Sequence, residues 1–213
     1  MSQSVSMAAF TAWLRDFATV VNEQAGELTA LDAAIGDADH GSNLDRGMQA
    51  VLKMLESDEF DTPDALFKKV GMTLVSTVGG ASGPLYGTFF LRFGAALHDK
   101  ADVSAEELGE ALRAGVGGVV TRGKATLGDK TMYDVWAPAV DAYDQAVTDG
   151  RDLAEALNTA VAAARDGRDA TTPLVARKGR ASYLGERSAG HLDPGAASTT
   201  MLIESAAKTL GSQ

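Results

Sequence analysis

The 213-residue chain contains no cysteine, which excludes a disulfide scaffold and any thiolate-ligated zinc or iron–sulfur centre. No apolar run approaches the roughly 18–20 residues that a membrane span requires. Near the N-terminus Arg15 and Asp16 interrupt the only stretch that could serve as a signal core, and no basic segment precedes it. Positive charge is scarce: 19 lysines and arginines face 29 aspartates and glutamates, a net charge of −10. Nucleic-acid phosphates would be repelled unless a basic patch were segregated. Hydrophobic residues make up 45% and charged residues 23%, an ordinary globular balance at a length that can bury a full core. These absences lead us to expect a soluble, acidic, cytoplasmic protein without a nucleic-acid or membrane partner.

Alternating strand patterns are almost absent, and helical spacing dominates. Phe10, Trp13, Leu14, Phe17, Val20 and Val21 form one apolar stripe of a helix starting near Ser6. Leu44, Met48, Val51, Leu52 and Leu55 form a second, and Pro63 and Asp64 open a third. A fourth helix is expected from Pro84 to about Leu97, apolar nearly all round and therefore central. Ser104, followed by Glu106 and Glu107, starts a fifth, acidic in its first turn as the helix dipole prefers. The sixth covers Tyr133 to about Val147 with Pro138 inside it, the seventh Asp152 to about Arg165, and the last Ala196 to Leu210. Gly117–Thr121, the best strand candidate, reads better as a helix end. There is no repeat or low-complexity linker, so one all-α domain of about eight helices over residues 1–213 is expected. The 23 glycines concentrate at 36–47, 79–87, 115–128 and 179–195. Helix connections in bundles need only a few residues, so long glycine-rich loops suggest loops kept for a ligand.

Four segments carry chemistry. In Leu31–Asn43, Asp37 and Asp39 are flanked by Gly36 and Gly41, and Asp32 lies five residues earlier. Three converging carboxylates call for a hard cation, Mg²⁺ or Ca²⁺; solvated turns and helix caps are the alternative. An EF-hand is excluded, because no glutamate stands at the twelfth position of a loop beginning at Asp37 or Asp39. In Val78–Gly87, three glycines and Ser82 precede Pro84, which makes either an anion cradle at a helix N-terminus or a close helix crossing. The GK[ST] ending of a Walker A loop is missing. Gly123–Asp134 mixes cations, hydroxyls and Met132, enough for a phosphate or purine contact; a helix connection capped by Thr131 is the plainer account. Arg177–Ala196 gathers four cations in an otherwise acidic chain and ends in Asp193-Pro194, a helix start. It reads as an anion clamp or as a surface charge run. Together the segments make a kit for a Mg-nucleotide held by loops at one end of a helical bundle.

The blocks Ile35–Gly41, Gly79–Thr88, Gly128–Met132 and Arg177–Ala196 resemble, in order, those of the ADP-binding L subunits of dihydroxyacetone kinases. Ala38 departs by occupying a spot often held by glycine. The resemblance implies a closed barrel of eight antiparallel helices with Mg-ADP in a cup at one end. It implies that Asp32, Asp37 and Asp39 hold two Mg²⁺ ions against the phosphates of ADP or ATP. By the same likeness, His40, Gly41, Ser42, Asn43, Ala81 and Ser82 contact phosphate and ribose, and Gly123 and Met132 line the adenine site. Arg180, Asp193, Pro194 and Gly195 close over the nucleotide, with Arg180 joining the three aspartates in catalysis. The sugar is expected on a separate dihydroxyacetone-binding K subunit. An L subunit not fused to a K domain resembles the phosphotransferase-system form, whose phosphoryl donor is a phosphohistidine-carrying M subunit. Self-association into a homodimer is left open. Alternatives are an L subunit that exchanges ATP freely for another small ketose, or an ADP-loaded regulatory module that binds a transcription activator.

Overall fold

The Ser6 hydroxyl accepts a hydrogen bond from the Ala9 amide at 3.3 Å, and from this cap α1 runs Met7–Ile35. The computed structural model describes residues 4–211. Seven more helices follow: α2 His40–Ser57, α3 Pro63–Thr77, α4 Ser82–Leu97, α5 Ala105–Gly123, α6 Tyr133–Thr148, α7 Leu153–Ala170 and α8 Pro194–Leu210. Most starts obey the chemistry written in the sequence. Thr62 caps α3 with Pro63 at its first position, and Asp193 caps α8 with Pro194 in the same place. Ser104 with Glu107, and Asp152 with Glu155, form reciprocal capping boxes at α5 and α7.

Each helix packs on the next, and α8 returns to α1, so the eight close into a ring. Trp13 fastens this closure: its ring is buried, and its Nε1–H donates to the Leu202 carbonyl at 2.9 Å across the α1–α8 seam. Phe67 stands at the centre of the aromatic core, stacked on Phe90 at 5.7 Å and edge-on to Phe93 at 4.7 Å and Phe10 at 5.2 Å. Between α3 and α4 the backbones nearly touch, since a Cβ on Gly71 would lie 2.7 Å from the Gly87 carbonyl oxygen.

The alternating chain direction sends four connections to one end: 36–39, 78–81, 124–132 and 171–193. Each of the four glycine-rich segments contains or adjoins one of them. Two features differ from expectation. A two-residue antiparallel ladder, β1 (Val5–Ser6) on β2 (Asp102–Val103), is too short to leave an alternating pattern. Helix α2 begins at His40, before its first apolar stripe residue, because the Asn43 amide already bonds the Asp39 carbonyl at 2.9 Å. No helix among the described residues is long and apolar enough to cross a membrane.

Candidate functional site

The four connections surround a cavity of about 530 Å³. On one side are the carboxylates. Asp32, in the last turn of α1, is buried; its Oδ2 accepts from the amides of Asp39 at 2.9 Å and His40 at 3.2 Å. Those two bonds fold the 36–39 connection back over the end of α1. Ala38 adopts φ 61° to complete the turn, a conformation that costs a residue with a Cβ about 1 kcal/mol. Its left-handed backbone accounts for a spot at which glycine is at home. One ligand-capable atom each from Asp32, Asp37 and Asp39 lies within 4.8 Å of the others, the one such carboxylate or histidine group among the described residues. Arg180 Nε meets Asp37 Oδ2 at 2.8 Å, so one of the three charges is answered by the chain itself. An oxygen-only set, partly buried and with charge left uncompensated, suits Mg²⁺.

The second wall is Gly79–Ser82, leading into α4. Gly80 takes φ 65°, which turns the loop so that the helix begins at the cavity with its leading amides free of ladder partners. Ser82 Oγ is 3.0 Å from His40 Nδ1, and His40 Nε2 is 2.9 Å from Ser198 Oγ on α8. Tyr86 Oη joins the same hydroxyl at 2.7 Å and reaches Thr199 Oγ1 at 3.2 Å. Burial holds the His40 ring below the usual histidine pKa, against the opposing pull of Asp32 and Asp39. The Tyr86 phenol is pushed up to about 12 by burial, so it keeps its proton.

The third wall is organised by two buried charges. Asp134, in the first turn of α6, accepts from the amides of Gly128 at 2.5 Å and Thr131 at 2.7 Å, which shapes the 126–131 loop. Lys130 is 1% exposed and points away from solvent. Its Nζ, with three N–H donors, lies within hydrogen-bond distance of four carbonyls, so that one proton is shared: Thr171 at 2.8 Å, Thr172 at 3.2 Å, Leu174 at 3.1 Å and His191 at 2.5 Å. One ammonium thus ties the third connection to both ends of the fourth. Burial lowers its pKa, while nearby Asp193 works in the other direction. Asp193 Oδ2 accepts from the Ala196 amide at 2.7 Å, and burial nevertheless raises this carboxyl to about 7.

The basic segment is not a bare loop. Residues Arg180–Ser188 form 3₁₀ turns interrupted at Gly185, with the Ser182 and Ser188 hydroxyls each donating to a carbonyl three residues back at 2.6 Å. Ala176 and Ala181 pack on Ile35 at the end of α1, which seats Arg180 beside Asp37. Arg180 and Lys178 reach the cavity, whereas Arg177 and Arg187 are not among its lining residues.

Of the residues singled out from the sequence, Asp32, Asp37, Asp39, His40, Ala81, Ser82, Gly123, Met132, Arg180, Asp193, Pro194 and Gly195 all line the cavity. Gly41, Ser42 and Asn43 do not. Gly41 allows α2 to start against α1, since a Cβ there would be 2.0 Å from the Ala25 carbonyl oxygen. The Ser42 hydroxyl donates back to the Asp39 carbonyl at 3.0 Å, and Asn43 Oδ1 accepts from Arg46 at 2.6 Å. Sequence reasoning missed Lys130 as a buried staple, Asp134 as the loop organiser, and the Tyr86–Ser198–Thr199 cluster behind His40. An aspartate three residues after a threonine at a helix start was a signal for Asp134. The others left none, because their partners are remote in sequence.

Residues 34–208 match the DAK2 domain. The chain is 43% identical over 201 residues to the ADP-binding subunit DhaL of the PEP-dependent dihydroxyacetone kinase of Escherichia coli strain K12. That alignment takes in 94% of this chain and 96% of the relative. It is 48% identical over 198 residues to the ADP-binding subunit DhaL of PEP-dependent dihydroxyacetone kinase 1 of Listeria innocua, over 92% and 93% of the two chains. The dihydroxyacetone kinase of C. freundii superimposes with a TM-score of 0.74 at 26% identity, over 98% of this chain and 35% of that longer one. The same kinase in complex with AMP-PNP and Mg²⁺ gives a TM-score of 0.71. With its carboxylate cluster and glycine loop at one end of a closed helical ring, the chain belongs to the DAK2-domain family.

Proposed function

We propose that this chain is the ADP-binding subunit of a phosphoenolpyruvate-dependent dihydroxyacetone kinase, with a phosphohistidine protein as donor and dihydroxyacetone held on a separate K subunit. The observation that carries this reading is the cavity itself: three carboxylates face a glycine–serine helix start, in a chain that aligns over nearly its whole length with subunits of that description.

Asp32, Asp37 and Asp39 would hold two Mg²⁺ ions, which supply charge neutralisation for the phosphates of a bound ADP or ATP. The chain's own residues position and shield. The leading amides of α4 and the Ser82 hydroxyl point donors at the phosphate side. Leu85, Val119, Gly123 and Met132 give the cavity an apolar wall suited to a purine. Arg180, already paired with Asp37, brings a guanidinium to where charge develops on the transferred group. His40, the one histidine lining the cavity, is engaged at both ring nitrogens. Direct transfer between nucleotide and partner-held groups therefore fits better than a phosphorylated intermediate on this chain.

The test is to purify the protein, extract it with acid after gel filtration and chromatograph the extract. Co-eluting ADP with Mg²⁺ is expected. A nucleotide-free protein that turns over only with added ATP would replace the coenzyme reading by free exchange.

A further inference from the structure

The cluster behind Ser82 has a direction. Thr199 is fully buried, and its hydroxyl must place one proton; Tyr86 Oη at 3.2 Å is its partner. With that oxygen accepting from Thr199, the Tyr86 proton goes to Ser198 Oγ at 2.7 Å. Ser198, itself fully buried, can then pass its own proton to His40 Nε2 at 2.9 Å or to the Gly195 carbonyl at 3.2 Å. The Gly195 carbonyl lies in the first turn of α8, where the helix ladder already provides it with an amide. The imidazole nitrogen is closer and has no other donor. Once Nε2 accepts, a neutral ring carries its proton on Nδ1 and donates it to Ser82 Oγ at 3.0 Å.

We infer that Thr199, Tyr86 and Ser198 form a one-way donor chain that fixes His40 as the Nδ1–H tautomer and so aims the Ser82 hydroxyl proton into the cavity. The inference rests on the proposal that the cavity takes a nucleoside phosphate. A phosphate oxygen only accepts hydrogen bonds, so a serine serves it by donating. In the opposite tautomer Ser82 would spend its proton on Nδ1 and present lone pairs to an anion. Ser198 and Thr199 lie outside the cavity lining, and Tyr86, which borders the cavity, gives its hydroxyl to them. All three are positioning residues that act through His40, and they join three helices, α2, α4 and α8, at the rim of the cavity.

The experiment combines a spectrum with a mutant cycle on the full-length protein. The chain has only three histidines, so long-range ¹H–¹⁵N correlation spectra resolve the protonation pattern of each ring. His40 is expected as Nδ1–H in the wild type with Mg-ADP, and as Nε2–H or a mixture in Tyr86→Phe. Ser198→Ala, run in parallel, should show the same loss of tautomer preference. In Mg-ADP titrations Tyr86→Phe and Ser82→Ala should each weaken binding about tenfold, the scale of one hydrogen bond to a charged group. The double variant should be no weaker than Ser82→Ala alone. An Nε2–H ring in the wild type, or losses that multiply in the double variant, would overturn the relay. If the wild type takes up no Mg-ADP, the nucleotide reading fails, and the tautomer of the ligand-free protein then decides the relay alone.

Discussion

The two ends of the helical ring are built from different chemistry. Toward the end where residues 58–62, 98–104 and 149–152 turn the chain, the core is Phe10, Trp13, Phe67, Phe90 and Phe93, rings packed at centroid distances of 4.7–6.0 Å. At the other end the buried groups include Asp32, His40, Asp129, Lys130, Asp134 and Asp193, and three of the four non-glycine residues with positive φ lie in its connections. The first end is held by apolar area and dispersion, which need no particular partner. The second is held by groups that satisfy one another one bond at a time, at a desolvation cost the aromatic end does not carry. The difference teaches where stability and function reside: the aromatic half stabilises a ring that the polar half spends on fixed donors and carboxylates.

If that division holds, the largest stability loss comes from the aromatic end. Phe67→Ala should cost about 3–5 kcal/mol in urea unfolding, while nucleotide affinity in the folded fraction is unchanged. A comparable loss of Mg-ADP binding at equal fold would show that the halves are coupled. Asp37→Asn should do the reverse. Phosphoryl transfer should fall by at least about 10²-fold, with the helical circular dichroism intact, and retained activity would mean that the carboxylates are turn residues only. Lys130→Met lies between, because it leaves four carbonyls without their shared donor. It should cost about 2–4 kcal/mol and raise hydrogen exchange across residues 171–193 ahead of the helices. Uniform exchange would dissolve the distinction between a stapled cup and an independent ring.

The smallest effect is a slope. The Asp193 carboxyl titrates near 7 when folded and near 4 when unfolded. The folded state thus holds this proton more tightly, and as pH rises from about 4 through about 7 the unfolded state gives it up first. This group therefore makes the protein less stable with rising pH in that window. Asp193→Asn should remove that component, so the variant gains on the wild type between pH 5 and pH 8 in chemical denaturation. An unchanged difference across the window would show Asp193 to be ionised throughout.

Much of this was legible in the residues. Asp193 caps the helix it was expected to start, and Ser6, Ser104 and Asp152 stand at expected helix starts and cap them, because a cap and the amide it serves lie within one turn of chain. The Asp32–Asp37–Asp39 cluster was equally visible, since seven residues around a glycine can converge without help from the rest of the fold. The resemblance implies that His40–Asn43 contact phosphate and ribose; in the fold they form the first turn of α2, and of the four only His40 lines the cavity. In Arg177–Ala196 the helix start at Asp193-Pro194 is legible, whereas the 3₁₀ turns of Arg180–Ser188 depend on packing against Ile35 that periodicity does not encode.

The sequence by itself determined the helices, their caps, the exclusion of soft metal chemistry and an oxygen-only set of ligands, all consequences of composition and of neighbours within about seven residues. Only the tertiary structure decided that the ring closes between α1 and α8, that Lys130 bonds carbonyls 41 to 61 residues away, and that Tyr86 meets Ser198 across 112 residues. Such pairings are fixed by how helices pack, because a buried polar group takes whichever partner the packing brings within reach, and no spacing along the chain announces which one that will be.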